Sequence, residues 1–322
     1  MVSSISNEGS NPACNLYAGS WVYDESYPLF SSKDYFFVPD NRKCSNRKDT
    51  SYLHYRWQPT NCNLPKFEAG KFLEKYRGKM VMFVGDSLAE IQWMSLAGLI
   101  QAYDPNATCV RTVRGKIYFT LYFEKYKLSL AYEQNRYLAL LDGQKLRLDT
   151  ISPASLAWWK DAHMIVFNTF HWYTHSTNLE WKSVEENNTV YPTMVPMKAL
   201  TIALNHWGKV VDEEIDHKKT RVFFLGITAV HPGCTKYTTP ISESSLADHT
   251  DSYIADGEEI IENELRQMKS EVTLLDITLL TRLRPDGHPG MYNGALDCSH
   301  YCVSGVPEAW NQLLYAELFP DY

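Results

Sequence analysis

Four short apolar runs, separated by segments with a helical pattern, constrain the fold of this chain more than any other feature. The runs read MVMFV, MIVFN, RVFFLGIT and VTLLDIT, and they occupy Met80–Val84, Met164–Asn168, Arg221–Thr228 and Val272–Thr278. Each run is short enough to be a strand buried on both faces. The alternation predicts an α/β fold with a mostly parallel, doubly wound sheet, in which ligands bind at the carboxyl ends of the strands.

Helical patterns and one region of alternating residues complete the prediction of secondary structure. Helices are predicted over Leu88–Ala102, Met197–Asp216, Tyr253–Lys269 and Pro307–Leu318. The segment Ile117–Asp149 alternates like antiparallel strands, with a turn at Asp142-Gly143. We expect this segment to be inserted in the sheet or to lie at its edge.

The chain has 322 residues, which is the upper end of what one domain holds. Its first 75 or so residues are rich in Asn, Ser, Asp, Pro and aromatic residues and contain three of the seven cysteines. This composition indicates a loop-rich, disulfide-stapled region without a separate core. We predict a disordered tail over residues 1–13, an N-terminal cap region over residues 14–78 and the main domain over residues 79–322.

Seven cysteines are an odd number, so at least one is free or pairs between chains. Cys298 and Cys302 have the spacing of metal ligands, but no second pair with zinc-like spacing follows. Disulfides formed in an oxidising lumen are therefore preferred, and we expect no metal and no tightly bound cofactor. Asn106 and Asn187 begin glycosylation sequons, which fits a secretory route.

Charge and hydropathy exclude two classes of partner. The formal net charge is −7, and no run of Lys and Arg is longer than two, so nucleic acid is not an expected partner. No window approaches 18 consecutive apolar residues, so no transmembrane segment is expected in this chain. The first dozen residues are polar rather than signal-like.

Polar residues at the strand ends supply the parts of an acyl-transfer site. Ser87 follows the first strand, Asn168 ends the second, and Asp297 precedes His300 by three positions after the fourth. A histidine activates a serine hydroxyl by taking its proton, and an aspartate fixes the tautomer of that histidine. An amide such as that of Asn168 can donate a hydrogen bond to a developing oxyanion. Alternatively, Ser87 only caps the helix that begins at Leu88.

Several separated motifs resemble one known family. They are VMFVGDSL, IVFNTFHWYTH and LLDITLLTRLRPDGHPGMYNGALDCSHYCVSGVPEAWNQLLYAEL, together with the N-terminal CNLYAGSWVYDESYPLF and YLHYRWQPTNCNLPKF. In this order, from about Cys14 to Leu318, they look like the plant trichome birefringence-like family of polysaccharide O-acetyltransferases. Proteins of that family are similar in fold to GDSL/SGNH esterases.

The resemblance implies an acyl-enzyme on Ser87, with Asp297 and His300 completing a catalytic triad. The backbone of Ser87 and the side chain of Asn168 would form the oxyanion hole. The expected partners are an acyl donor of unknown identity and a glycan or other hydroxylated acceptor, in the Golgi lumen or outside the cell. An acetylesterase with the same triad, an acyltransferase for a small hydroxylated metabolite and a carbohydrate-binding relative without turnover remain alternatives.

Departures from the family pattern suggest where substrate specificity differs. Many relatives carry Arg and Asn soon after the GDSL motif, whereas this chain has Ala89-Glu90-Ile91-Gln92. Candidate substrate-binding residues near these departures and the strand ends are Glu90, Ile91, Phe170, His171, Trp172 and Tyr301.

The resemblance also suggests a disulfide scheme. Two cysteines of the family are replaced here by Tyr35 and Gly98, so one family disulfide is absent. We expect Cys14 to pair with Cys62 and Cys109 to be free. Two further disulfides are expected among Cys44, Cys234, Cys298 and Cys302.

Overall fold

The computed structural model describes residues 14–174, 180–246 and 252–320. The predicted tail over residues 1–13 lies outside the described residues. Within them, no helix combines the length and apolar character needed to cross a bilayer.

The strands, in chain order, are β1 (Gly19–Tyr23), β2 (Tyr55–Pro59), β3 (Met80–Gly85), β4 (Cys109–Arg114), β5 (Tyr118–Phe123), β6 (Leu128–Gln134), β7 (Leu140–Asp142), β8 (Lys145–Arg147), β9 (Met164–Phe167), β10 (Ser183–Glu186), β11 (Thr189–Tyr191), β12 (Arg221–Leu225), β13 (Val272–Leu275), β14 (Gly290–Tyr292) and β15 (Ala295–Asp297). The α-helices are α1 (Asp40–Lys43), α2 (Ala69–Lys75), α3 (Ser87–Tyr103), α4 (Pro153–Asp161), α5 (His171–Thr174), α6 (Pro196–Glu214), α7 (Ser252–Gln267), α8 (Thr278–Arg282) and α9 (Val306–Leu318).

The main sheet has seven strands in the order β13-β12-β9-β3-β6-β5-β4. The first five run parallel to their neighbours, whereas β5 pairs antiparallel with both β6 and β4. The α/β prediction is confirmed, but the sheets are mixed, so the description as mostly parallel and doubly wound is not. The reason is local, because the short connections from β4 to β5 to β6 permit only antiparallel pairing.

The four apolar runs form β3, β9, β12 and β13, and the four predicted helices are α3, α6, α7 and α9. The alternating segment supplies β5 to β8. Only part of it lies at an edge, because β6 pairs in parallel with β3 inside the main sheet. The apolar residues of β6 are buried on both faces, which explains their near-continuous run.

Both faces of the central strand β3 are buried. Val81 and Phe83 pack on the side that carries α3 and α9, whereas Met82 and Val84 pack on the side that carries α4 and α6. All four side chains are fully buried. The sheet therefore separates two apolar layers, and its strand ends are held rigidly between them.

The N-terminal region packs into the first of these layers. Leu16, Phe30 and Trp57 belong to the same buried cluster as Trp310 of α9. The small antiparallel sheet of β1 and β2 lies within this region. The N-terminal region thus shares a core with the rest of the described chain.

Three disulfides join Cys14 to Cys62, Cys44 to Cys302 and Cys234 to Cys298, and Cys109 is free. The predicted number of disulfides and the free cysteine are confirmed. Burial raises the pKa of the Cys109 thiol to about 12, so this thiol is protonated and a poor nucleophile at neutral pH.

The positions of the absent family disulfide lie on either side of one aromatic ring. The Phe30 ring stacks on Tyr35 at a centroid distance of 6.0 Å. A Cβ atom added to Gly98 would lie 2.4 Å from the same Phe30 ring. Aromatic packing against a glycine therefore fills the space where relatives have two cysteines.

Gly98→Ala should destabilise the protein by about 1–3 kcal/mol, because the new methyl group overpacks against Phe30. Alanine has a higher helix propensity than glycine, so propensity alone would predict that this substitution stabilises the protein. Urea unfolding of the single variants and of the Phe30→Leu/Gly98→Ala double variant measures the coupling. Strictly additive free energies of unfolding would contradict the proposed contact.

Candidate active site

Ser87 lies where β3 turns into α3, and the local sequence explains its position. Asp86 is the N-cap of α3, and its side chain accepts a hydrogen bond of 2.8 Å from the N–H of Leu88. A Cβ atom at Gly85 would lie 2.5 Å from the carbonyl oxygen of Asn168, so only glycine allows β3 and β9 to end this close together. Ser87 therefore begins the helix, half-buried, at the carboxyl end of the sheet.

Ser87, His300 and Asp297 form a chain of hydrogen-bonded groups. The Oγ atom of Ser87 lies 2.7 Å from Nε2 of His300. On the other side of the ring, Nδ1 of His300 lies 3.0 Å from both carboxylate oxygens of Asp297. If Nδ1 carries the ring proton and donates a hydrogen bond to Asp297, Nε2 is free to accept the proton of Ser87. This is the arrangement that activates a serine nucleophile.

The carboxylate of Asp297 has a third partner from the N-terminal region. Nη1 of Arg42 donates to Oδ2 of Asp297 at 2.8 Å, and the side chain of Arg42 is only 12% exposed. Burial raises the pKa of Asp297, but the hydrogen bonds and charge of His300, together with Arg42, outweigh it and hold this pKa well below its usual range. Asp297 is therefore ionised at neutral pH and can orient the imidazole.

The loop that carries Asp297 and His300 is fixed by covalent and backbone contacts. Cys298 is bonded to Cys234, and Cys302 is bonded to Cys44 beside α1. The N–H of His300 donates to Oδ1 of Asp297 at 3.1 Å, which closes the turn between them. Disulfides thus hold this loop in place on both sides of His300.

His288 contacts the backbone of the same loop. Its Nδ1 lies 2.5 Å from the carbonyl oxygen of His300, and its Nε2 lies 2.7 Å from Nδ1 of His231. Burial, followed by the neighbouring His231, lowers the pKa of His288 to about 3. His231, which follows β12, therefore contacts His288 rather than Ser87.

Asn168 lies beside the turn that precedes Ser87. Its Oδ1 is 3.5 Å from the backbone N–H of Asp86, which orients the amide so that its NH₂ group remains as a donor. The N–H of Ser87 belongs to the first turn of α3, where N–H groups have no partner within the helix. Both groups are hydrogen-bond donors of the kind that an oxyanion hole uses.

Residues 64–317 match the family described as GDSL/SGNH-like acyl-esterases found in Pmr5 and Cas1p, and residues 12–63 match the PMR5 N-terminal domain. Among curated proteins of Arabidopsis thaliana, trichome birefringence-like 43 is 40% identical, over 95% of this chain and 88% of its own length. Trichome birefringence-like 42 is 38% identical, over 97% of this chain and 91% of its own length. The chain belongs to the trichome birefringence-like family.

This membership makes the chain an enzyme of the acyl-esterase and acyltransferase type.

The expected substrate-binding residues differ in their access to the site. Glu90 is half-buried one turn after Ser87. Burial raises the pKa of Glu90, and the charges of Arg42 and Arg111 oppose this rise.

His171 and Trp172 are half-buried near the ends of β6, β9 and β12. Nε2 of His171 lies 3.0 Å from Oγ1 of Thr228. The guanidinium carbon of Arg136 lies 4.1 Å from the centroid of the Trp172 ring. One face of the Trp172 ring is thus covered by Arg136, so the stacking of a sugar on this face is excluded in this conformation.

Three other candidates require correction. Ile91, Phe170 and Tyr301 are at most 2% exposed. Ile91 and Tyr301 pack in the layer of α3 and α9, and Phe170 packs against Gly257 of α7. Their side chains belong to the core and do not line an open cleft, so direct contact with substrate is not supported for them.

A cavity of about 200 Å³ lies beside the turn of Ser87, at the carboxyl end of β6. Glu133, Arg136 and Glu180 line it, and Arg136 forms an ion pair with Glu180. The cavity adjoins the site because the N–H of Asn135 donates to the carbonyl oxygen of Gly85 at 2.8 Å.

Sequence reasoning did not identify Arg42, His288 or Arg136. Arg42 lies two residues before Cys44, and the open pairing of Cys44 with Cys234, Cys298 or Cys302 was the available signal that its neighbours could reach the loop of Asp297 and His300. His288 lies in the quoted RPDGHPGMY stretch, but its partner, a backbone carbonyl, leaves no trace in the sequence.

Arg42→Ala should lower kcat for acetate release from para-nitrophenyl acetate about tenfold, because Asp297 loses a charge-assisted hydrogen bond that fixes its orientation. The matched control is Arg56→Ala, which removes a similar ion pair with Asp24 in the same region. The control should retain the wild-type rate. An Arg42→Ala variant with a lower melting temperature but an unchanged kcat would contradict this positioning role.

Proposed function

We propose that the protein is a serine-dependent O-acyltransferase, most simply an O-acetyltransferase, that acts on hydroxyl groups of a plant cell-wall polysaccharide. The observation that carries the proposal is the contact of 2.7 Å between Oγ of Ser87 and Nε2 of His300, with Asp297 at the opposite ring nitrogen. Membership of the trichome birefringence-like family supports the class of reaction.

In the first half-reaction, Nε2 of His300 takes the proton of Ser87 while Oγ attacks the acyl carbonyl of the donor. The N–H of Ser87 and the amide of Asn168 stabilise the oxyanion, and His300 returns the proton to the leaving group. In the second half-reaction, a sugar hydroxyl gives its proton to Nε2 and attacks the acyl-serine. Ser87 recovers its proton as the ester product leaves.

The acyl group travels on Ser87, so the proposed reaction needs no tightly bound cofactor. The three disulfides support a location in the secretory pathway, either in the Golgi lumen or outside the cell. The sequons at Asn106 and Asn187 are both exposed, which is compatible with glycosylation on this route.

Hydrolysis of acetyl esters by the same triad is the second candidate function. About 25% of the His300 side chain is exposed, so water can reach the nitrogen that would activate it. Transfer and hydrolysis differ only in the molecule that accepts the acyl group, because a water molecule and a sugar hydroxyl would occupy the same position beside Nε2 of His300.

Ser87→Ala should abolish acyl transfer, because no other nucleophile accepts the acyl group. Intact-mass analysis of the wild type after incubation with isotope-labelled para-nitrophenyl acetate should detect one added acetyl group, on the peptide that contains Ser87. The exposed Ser20→Ala variant serves as a control and should be acetylated like the wild type. Full activity of Ser87→Ala would refute the triad.

Adding a deacetylated polysaccharide to the same mixture distinguishes transfer from hydrolysis. A transferase moves the label to the polymer, and the labelled glycan is then recovered. Release of labelled acetate with no label on any glycan would instead assign the esterase function.

Asn168→Ala should lower kcat about a hundredfold with little change in KM, because its amide acts only when negative charge develops on the acyl oxygen. The control is Asn205→Ala, at an exposed position of α6. Steady-state kinetics with para-nitrophenyl acetate measures both variants. A rate within threefold of the wild type would exclude Asn168 from the oxyanion hole.

A further inference from the structure

A second surface with the chemistry of a ligand site lies on the antiparallel part of the main sheet. Side chains of β4, β5 and β6, together with two residues of α4, line a groove of about 400 Å³. We name it the hairpin groove and define it by Thr112, Tyr118, Thr120, Tyr122, Ser129 and Trp158.

The sheet alternation explains why this face is open. Leu121 and Phe123 point to the layer of α3 and are fully buried. On the opposite face, Thr112 is exposed, and Thr120 and Tyr122 are only half-buried. The parallel strands are covered on this side by α4 and α6, whereas the described part of the chain leaves the antiparallel strands accessible to solvent.

The register places aromatic rings at both ends of the groove and hydroxyl groups between them. Tyr122 pairs with Ser129, and Thr120 pairs with Thr112. At the other end, the rings of Tyr118 and Trp158 lie 4.2 Å apart. From Tyr118 to Tyr122 the strand extends roughly 14 Å, which exceeds the length of a single sugar ring.

This arrangement matches the surface of a carbohydrate. A pyranose ring presents C–H groups on its faces and hydroxyl groups around its edge. Aromatic side chains contact the apolar face, and polar side chains bond the hydroxyl groups and fix the orientation. Trp158 and Tyr122 are half-buried, so part of each ring is accessible for such contact.

The charged residues around the hairpin groove favour a neutral polymer over a polyanion. Arg114, Glu124 and Asp161 line it, which gives one positive and two negative groups. This balance does not attract a polyanion such as a polyuronate or a nucleic acid. The row of threonine and serine hydroxyls is also unlike the apolar centre of a protein interface.

The hairpin groove and the cavity beside the turn of Ser87 lie next to each other along the sheet. Tyr118, which lines the groove, pairs in register with Glu133, which lines the cavity. A polymer that extends along β5 past Tyr118 would approach the carboxyl end of β6, the edge of the sheet at which Ser87 lies.

We propose that the hairpin groove binds a neutral polysaccharide at a distance from Ser87 and so holds the polymeric substrate on the enzyme. The identity of this polymer as the acceptor rests on the proposed function. The binding itself does not require turnover, because no group of the hairpin groove belongs to the triad or to the oxyanion hole.

Binding is tested in the Ser87→Ala background by affinity electrophoresis in gels that contain soluble deacetylated xylan, glucomannan or polygalacturonate. Trp158→Ala and Tyr122→Ala, each added to this background, should raise the Kd for a neutral polymer about three- to tenfold. The matched control is Tyr103→Ala, which removes an aromatic side chain that is 59% exposed outside the groove. Melting temperatures confirm that each variant folds.

Equal retardation of the background and of both groove variants by every neutral polymer would overturn the proposal, as would stronger retardation by polygalacturonate. Sedimentation that detects a dimer which Tyr122→Ala dissociates would assign the surface to a second copy of the chain, and would overturn it as well. A wild-type enzyme that transfers no acyl group would refute the proposed function alone, because this binding is measured without turnover.

Discussion

The ion pair between Arg42 and Asp297 joins two parts of the sequence that are 255 residues apart, and the geometry at Ser87 depends on it. The loop of Asp297 and His300 follows the short strand β15 and has no regular structure of its own before α9. Its position is set by contacts with other elements, among which Arg42 and the disulfide of Cys44 to Cys302 come from the N-terminal region. The N-terminal region thus helps to position the residues of the candidate active site.

A second set of buried charges lies beneath the same loop. Arg284 and Asp286 form an ion pair in which both side chains are fully buried. Arg284 also donates to the carbonyl oxygen of Tyr52, and Arg47 donates to the carbonyl oxygen of His288. Buried ion pairs pay a large desolvation penalty and are weak evidence for stability. Their directional hydrogen bonds nevertheless define one relative position for the N-terminal region and the segment that leads to His300.

Much of the fold follows from local patterns, and the exceptions have a common physical cause. The apolar runs at Met80–Val84 and Met164–Asn168 could be predicted as buried strands because both faces of each are covered. Strand β4 has an exposed face and no apolar run, so its composition did not distinguish it from a loop. Strand β6 pairs with β3, a strand that is distant from it in the sequence. The alternating pattern of β6 therefore did not predict whether β6 lies inside the sheet or at its edge.

The same distinction applies to the candidate site. Ser87, Asn168, Asp297 and His300 are residue types with characteristic chemistry, placed after predicted strands or in a recognised motif, and the structure brings them together. The local sequence does not single out Arg42, because an arginine in a short helix is ordinarily exposed to solvent. The burial of Ile91 and Tyr301 could not be predicted from their positions either, since a residue next to a motif need not face the ligand.

The exposure of His300 makes the choice between transfer and hydrolysis a question of competition. About 25% of the His300 side chain is exposed, so water competes with the acceptor, and an acyl-serine survives to reach a sugar only if the bound acceptor displaces that water. A polymer held at a second surface raises the effective concentration of its hydroxyl groups near Ser87, as linked binding sites do in general. The hairpin groove would therefore favour transfer without changing the triad. A chain with the same three catalytic residues but no such surface would be expected to act mainly as an esterase.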